Sequence, residues 1–181
     1  MAFFVSSGTK ASPDAAGADI RILGILSDTH DRVEPAAAGI KALRAAGAEF
    51  LIHCGDVGGQ RVLDLLAGLP CTVVWGNCDF DRASLGDYAR DLGIDCAGEM
   101  ASLEFCGKKI AVTHGDNAKI LGQIAEEGYD YLFVGHTHIP SDRRSGKLRI
   151  INPGALHRAA RKTVAVVGLE SGSLRFIQIS S

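Results

Sequence analysis

Short apolar runs rich in β-branched and aromatic residues recur along the chain, at 22–26, 50–52, 72–75, 109–112 and 131–134. Between them the period changes from that of a strand to that of a helix. Over 34–46, Ala36, Ile40 and Leu43 fall on one helical face, with Pro35 suited to the first turn and Gly47 at the end. Val62, Leu65, Leu66 and Leu69 define a second amphipathic helix closed by Pro70. The result is a β-α-β-α-β run with short connections, which predicts a largely parallel sheet covered by helices. From 80 to 98 the pattern weakens to a polar loop and a short helix around 85–92. The runs 103–106 and 109–112 flank Gly107-Lys108, read as a two-residue hairpin with a II′-type turn. Ile120, Leu121, Ile124 and Ala125 share a helical face over 118–127, stopped by Gly128. The last third is strand-like, at 131–134, 148–151, 163–168 and 174–179.

Composition narrows the class. At 181 residues, with 46% hydrophobic and 22% charged positions, the chain reads as one soluble globular domain. That domain is expected over 20–181. Residues 1–19, rich in Ala, Ser, Gly and Asp and without a period, are expected to form a flexible extension. Phe3-Phe4-Val5 is too short for a signal-peptide core, and no basic residue precedes it. A formal net charge of -2 gives no global pull toward nucleic acid or an anionic membrane. No apolar run approaches a membrane span, so a cytoplasmic protein without a membrane partner is expected. The five cysteines form no Cys-x-x-Cys pair and fit small residues kept reduced in a cytosol. Only Cys78 lies beside a candidate ligand.

The chemistry lies where the apolar runs end. Each of the first five runs leads into a fragment carrying a metal-ligand residue type: Asp28-Thr29-His30, Gly55-Asp56, Gly76-Asn77-Cys78-Asp79, His114-Gly115 and Gly135-His136-Thr137-His138. In an open α/β sheet the loops beyond the carboxyl ends of strands line the ligand crevice. Seven ligands, Asp28, His30, Asp56, Asn77, His114, His136 and His138, would therefore converge on one sheet edge. Gly-Asp or His-Gly alone means nothing, and Gly-Asn-x-Asp alone is more often a turn; the ordered set carries the argument. Imidazole and carboxylate without thiolate suit Mn, Fe, Zn, Co or Ni better than Ca or Mg. Seven ligands exceed what one ion needs, which implies two ions sharing Asp56, roughly 3.5–4 Å apart. Two aspartates and a bridging hydroxide leave net positive charge that would attract a phosphate ester for metal-assisted hydrolysis.

This ordered set, together with Ile151-Asn152-Pro153-Gly154, resembles the signature of calcineurin-like metallophosphoesterases, across residues 22 to about 155. The Gly76-Asn77-Cys78-Asp79 form is similar to that of the small bacterial and archaeal phosphodiesterases of the superfamily. The resemblance implies a four-layer α/β/β/α sandwich with a dinuclear site at the sheet edge. It implies that one ion takes Asp28, His30, Asp56 and His138, and the other Asp56, Asn77, His114 and His136. Asp56, Asn77 and His114 count as catalytic as well as ligating. Two divalent transition-metal ions, Mn foremost, are the cofactors so implied.

One position departs from the superfamily's protein phosphatases, where a His follows the Asn and is thought to protonate the leaving group. Cys78 stands there. A thiol of pKa about 8.5 is a poor substitute for imidazole as a general acid. Asp79 is read either as orienting a ligand or as a turn residue, and His157 as lining the mouth of the site. His53 is expected to be packed or hydrogen-bonded inside its strand. Asn152 and Gly154 are expected to set the turn beside the His138 loop. Arg143, Arg144, Lys147, Arg149, Arg158, Arg161 and Lys162 form a basic cluster, read first as a solvated hairpin face and second as a guide for substrate. The expected substrate is a phosphate-ester small molecule or a nucleotide-like substrate. Nucleic acid is the weaker reading, because the extra DNA-gripping domain of larger nucleases is not expected here. The alternative from another class is a protein-interaction scaffold of the same fold, like the retromer subunit that resembles these enzymes.

Overall fold

A computed structural model describes residues 20–180; the extension expected over 1–19 lies outside the described residues. The first half runs β1 (Ile22–Leu26), α1 (Val33–Ala45), β2 (Phe50–His53), α2 (Gln60–Asp64), β3 (Cys71–Val73), α3 (Arg82–Asp91) and β4 (Asp95–Cys96). The second half runs β5 (Met100–Phe105), β6 (Lys108–Thr113), α4 (Ala118–Glu126), β7 (Tyr131–Phe133), β8 (Ser141–Ser145), β9 (Leu148–Asn152), β10 (Thr163–Gly168) and β11 (Leu174–Gln178). Two sheets result. One has the order β11-β10-β1-β2-β3-β4, the other β5-β6-β7-β9-β8. β1 to β4 are mutually parallel, as are β6, β7 and β9. β10 and β11 join the first sheet antiparallel, while β5 and β8 are the antiparallel edges of the second.

Alternation along the strands builds the layers. Leu23 and Ile25 of β1 and Ile52 of β2 meet Ile110, Val112, Phe133 and Ile151 of the other sheet in a core between the sheets. Leu26 and Val73 face Leu43 of α1 and Leu63 of α2 in a second core. Ala111 and Leu132 face Ile124 of α4 in a third. Helices, sheet, sheet, helix: the order is α/β/β/α. Strands buried on both faces read as continuous apolar runs, so the pattern announced them.

Three local expectations need correction. The second helix keeps its apolar face but is α-helical only over Gln60–Asp64. Beyond it the backbone tightens into successive i→i−3 bonds, from Leu65 to Val62 and from Leu66 to Leu63, before Gly68 and Pro70 stop any continuation. The hairpin turn sits one residue earlier than expected. Phe105 pairs with Lys108, so Cys106 and Gly107 form the turn, and both have positive φ, at 49° and 65°. That is a type I′ turn, which places glycine second rather than first. Arg149 leaves the basic cluster altogether. It is buried, its Nε and Nη2 donate to Asp142 at 2.9 and 2.8 Å, and its Nη1 donates to Gly172 O at 2.6 Å. Arg143 and Arg144 remain exposed on β8.

Candidate metal centre

Because β1, β2 and β3 are parallel, their carboxyl ends share one edge, and the parallel pair β6 and β7 brings its own ends to the same place. The loops that follow carry the ligand types. They are bent tightly: of eight non-glycine residues with positive φ among the described residues, six are Asp28, His30, Asp31, Asp56, His136 and His138. Each such conformation costs on the order of 1–3 kcal/mol and persists only where surroundings enforce it, commonly at functional sites.

Two contacts join the sheets here. His114 Nδ1 donates to Cys54 O at 2.8 Å, and the His136 N–H donates to Asp28 Oδ2 at 3.2 Å. The first fixes a tautomer. A carbonyl only accepts, so Nδ1 carries the proton and His114 Nε2 keeps its lone pair. His138 Nδ1 likewise lies 3.4 Å from Arg158 O, with Nε2 3.1 Å from Asp28 Oδ1.

Asp56 occupies the middle. Its Oδ1 accepts from the Cys78 N–H at 2.8 Å, and its Oδ2 lies 3.6 Å from His30 Nε2 and 3.4 Å from His114 Nε2. Three overlapping groups have ligand atoms mutually within 4.8 Å: Asp28, His30 and His138; His30, Asp56 and Cys78; Asp28, Asp56 and His114. His136 stands beside His114, with ring centroids 5.2 Å apart. Asn77 is exposed at the rim, its amide 3.4 Å from Cys78 Sγ. His157 lies beside His30, ring to ring at 5.3 Å.

These residues fit a divalent cation. Asp28 Oδ1, His30 Nε2 and His114 Nε2 are buried with no hydrogen-bond partner. Buried lone pairs facing one another are costly unless positive charge lies between them. Titration tells the same story. Burial pushes the Asp28 carboxyl up. Burial also pushes Asp56 up, but His114 and the Cys78 N–H outweigh it and hold that carboxyl well below the usual range. His114 is pulled the other way: burial lowers it, and Asp56 with Cys54 O more than compensate. Both shifts record one demand for positive charge between the two side chains.

The surroundings brace the ligands. Asp79, expected as a ligand-orienting or a turn residue, is buried, and its carboxylate accepts from Gly58 N at 2.9 Å and Gly76 N at 2.8 Å. It ties the loop after β2 to the loop after β3. Asn152 donates to Gly135 O at 2.6 Å and Thr137 Oγ1 at 3.1 Å, and accepts from Gly154 N at 2.8 Å. The turn beside the His138 loop is therefore built as expected. His53 accepts the Gly55 N–H at Nδ1, 3.2 Å, so its proton is on Nε2, 2.9 Å from Thr29 Oγ1. Thr29 passes the chain on to Val57 O at 3.0 Å. Sequence reasoning missed Thr29, although the hydroxyl inside Asp28-Thr29-His30 was a signal for it.

His53 supplies a test. Burial pushes it down to about 3, with His114 adding to the shift. An unfolded His titrates near 6.5, so below that pH the unfolded chain takes a proton that the native one refuses. Stability from this residue is complete above pH 6.5 and falls by up to about 1.4 kcal/mol per unit down to about pH 3. Nitrogen NMR of the ring should show an Nε2–H tautomer that does not titrate while the fold persists. A midpoint near 6.5 in the native protein would contradict it.

Residues 22–172 match the Calcineurin-like phosphoesterase superfamily domain, and the chain belongs to that family. It is by class a metal-dependent hydrolase of phosphoric esters. Among its relatives, the probable metallophosphoesterase YsnB of Bacillus subtilis is 34% identical over 158 residues, covering 81% of this chain and 83% of its own. A phosphodiesterase of Methanocaldococcus jannaschii is 29% identical over 136 residues, covering 73% of this chain and 82% of its own. The solved structure of an archaeal phosphodiesterase superposes with a TM-score of 0.80 at 26% identity, over 87% of this chain and 99% of that one. Among the described residues no helix is long and apolar enough to cross a membrane.

Proposed function

We propose that the protein is a phosphodiesterase working with two divalent ions, Asp28, His30, Asp56 and His138 holding one and Asp56, Asn77, His114 and His136 the other. The observation that carries this reading is Asp56, whose Oδ2 lies within 3.6 Å of two histidine Nε2 atoms, each buried and otherwise unpartnered. When bound, such ions lower the pKa of a bound water and offset charge on the phosphoryl oxygens. The chain does the rest. The carbonyls of Cys54 and Arg158 keep Nε2 of His114 and His138 bare, which is how such a ligand is held in one tautomer. The Cys78 N–H fixes one Asp56 oxygen and leaves the other to the centre. Manganese is the first ion to test, and iron, zinc, nickel and cobalt suit the same donors. The substrate class is a small phosphate ester or nucleotide-like diester, cleaved by water to a monoester and an alcohol.

The leaving group finds little help. Burial pushes the Cys78 thiol up, and contact with Asp56 pushes it further, so it stays neutral and weakly acidic. His157 is held down by burial and by Arg32 nearby, which disfavours the imidazolium that would serve as the acid. Rates should therefore rise steeply with leaving-group acidity, aryl diesters being cleaved far faster than alkyl ones. Manganese loading followed by metal analysis should give two ions per chain, with hydrolysis across an ester series. One ion or none sinks the two-ion reading. A flat series means an unrecognised acid, and no hydrolysis with any of the five metals leaves the scaffold alternative.

A further inference from the structure

Phe80 is 90% exposed, the most exposed of the large hydrophobic residues described. An isolated exposed apolar side chain is ordinary, but this one has a particular address. It directly follows Asp79 and lines a groove of about 510 Å3 that also includes Asp31, Gln60, Arg61, Cys78 and Ser84. Asp31 adjoins His30, and Cys78 Sγ lies within 4.8 Å of ligand atoms of His30 and Asp56. The groove therefore borders the candidate metal centre at Cys78.

Most charges in the groove are engaged: Asp81 Oδ1 accepts from Ser84 N at 3.4 Å, while Asp31 Oδ1 is buried without a hydrogen-bond partner. Asp79 spends its carboxylate on two backbone N–H groups. Asp31 is paired with Arg61, which donates from Nε at 3.1 Å and from Nη2. That clamp holds the guanidinium in place and leaves Nη1 without a hydrogen-bond partner among the described residues. Gln60 is exposed and offers both a donor and an acceptor. An alkyl tail would leave these polar groups facing hydrocarbon. A flat heterocycle meets both demands, with a face for Phe80 and a hydrogen-bonding edge for Gln60 and Arg61. The volume is in the range of small-molecule sites.

We propose that this groove is a subsite for a nucleobase carried on one arm of the phosphate diester and stacked on Phe80. The inference rests on the phosphodiesterase reading above and narrows its substrate class to a diester with a nucleoside on one arm. Two diesters with the same leaving group test it: methyl para-nitrophenyl phosphate and thymidine para-nitrophenyl phosphate. The same bond breaks in both, so their ratio of kcat/KM reads the second arm alone. The nucleoside ester should be preferred by about tenfold, the lower end of what base–aromatic stacking supplies, and mainly through KM. In Phe80→Ala the ratio should fall close to one, and in Phe80→Trp it should persist. A ratio near one in the unaltered protein, or one unchanged in Phe80→Ala, overturns the subsite. If neither ester is hydrolysed, the phosphodiesterase reading fails instead. The groove is then read by titrating thymidine monophosphate into manganese-loaded protein. Binding that weakens about tenfold in Phe80→Ala keeps the subsite; no binding, or equal binding, removes it.

Discussion

Asp56→Asn should empty the centre of both ions at once. The amide keeps an oxygen for the Cys78 N–H, which lies 2.8 Å from Oδ1, so the loop has no reason to unfold. It loses the negative charge that two imidazoles face at 3.4 and 3.6 Å. Hydrolysis should fall by at least about 10²–10³-fold, the scale of removing one electrostatic stabiliser from a reaction centre. Stability gives an independent reading. A ligand at a hundred times its Kd stabilises the native state by about 2.7 kcal/mol, so manganese should raise the Tm of the unaltered protein and leave that of the variant unmoved. Metal analysis, circular dichroism and melting curves decide it. Retention of one tightly held ion in the variant would show that Asp56 belongs to a single site.

Gly76→Ala should damage the centre from the backbone. A Cβ at this position would lie 2.6 Å from Asp56 N and 2.9 Å from Asp56 Cγ, and closer still to Oδ1. Neither the backbone nor the tethered carboxylate is a flexible end that can swing aside. Overpacking of this kind costs about 1–3 kcal/mol, and displacing Asp56 should lower metal affinity by about 10–100-fold, as loss of a ligand's support does. Gly122→Ala on α4 is the control, since a Cβ there meets nothing within 4 Å. It should be neutral or stabilising by about 0.5–1 kcal/mol, because alanine suits a helix interior better than glycine. Equal metal content and equal melting in Gly76→Ala and the unaltered protein would refute the close approach.

Legibility from the sequence followed range. The strands of the sheet interiors were visible because both faces are buried and their runs are apolar throughout, as in Ile22–Leu26 and Tyr131–Phe133. β8 was not, because Ser141–Ser145 is a polar, exposed edge with no alternation to read. β4, two residues long, leaves no trace in any pattern. The hairpin slipped by one because Cys106 accepts a left-handed φ that residue type alone would assign to glycine. Strand order was beyond reach for a deeper reason. Pairing of β10 with β1, some 140 residues apart, is decided by long-range packing that no local window contains. The candidate ligands fared better because each sits at the end of an apolar run, where parallel strands must deliver it to one edge. What the sequence withheld was their bracing. Asp79 could be read either as orienting a ligand or as a turn residue, and nothing local showed that Gly58 and Gly76 donate to it.

The ligand types are divided between the sheets. Asp28, His30, Asp56 and Asn77 follow strands of the first, and His114, His136 and His138 follow strands of the second. Elsewhere the seam between the sheets is closed by nondirectional apolar contact, which tolerates small slippage. On the two-ion reading proposed above, a cation held at this edge would be gripped from both sides and would act as a rivet between the sheets. Cohesion of the sandwich and grip on the ion would then be one property measured from two directions. On that reading a substitution deep in the seam, touching no ligand, should detune the chemistry, and a chelator should slacken the architecture.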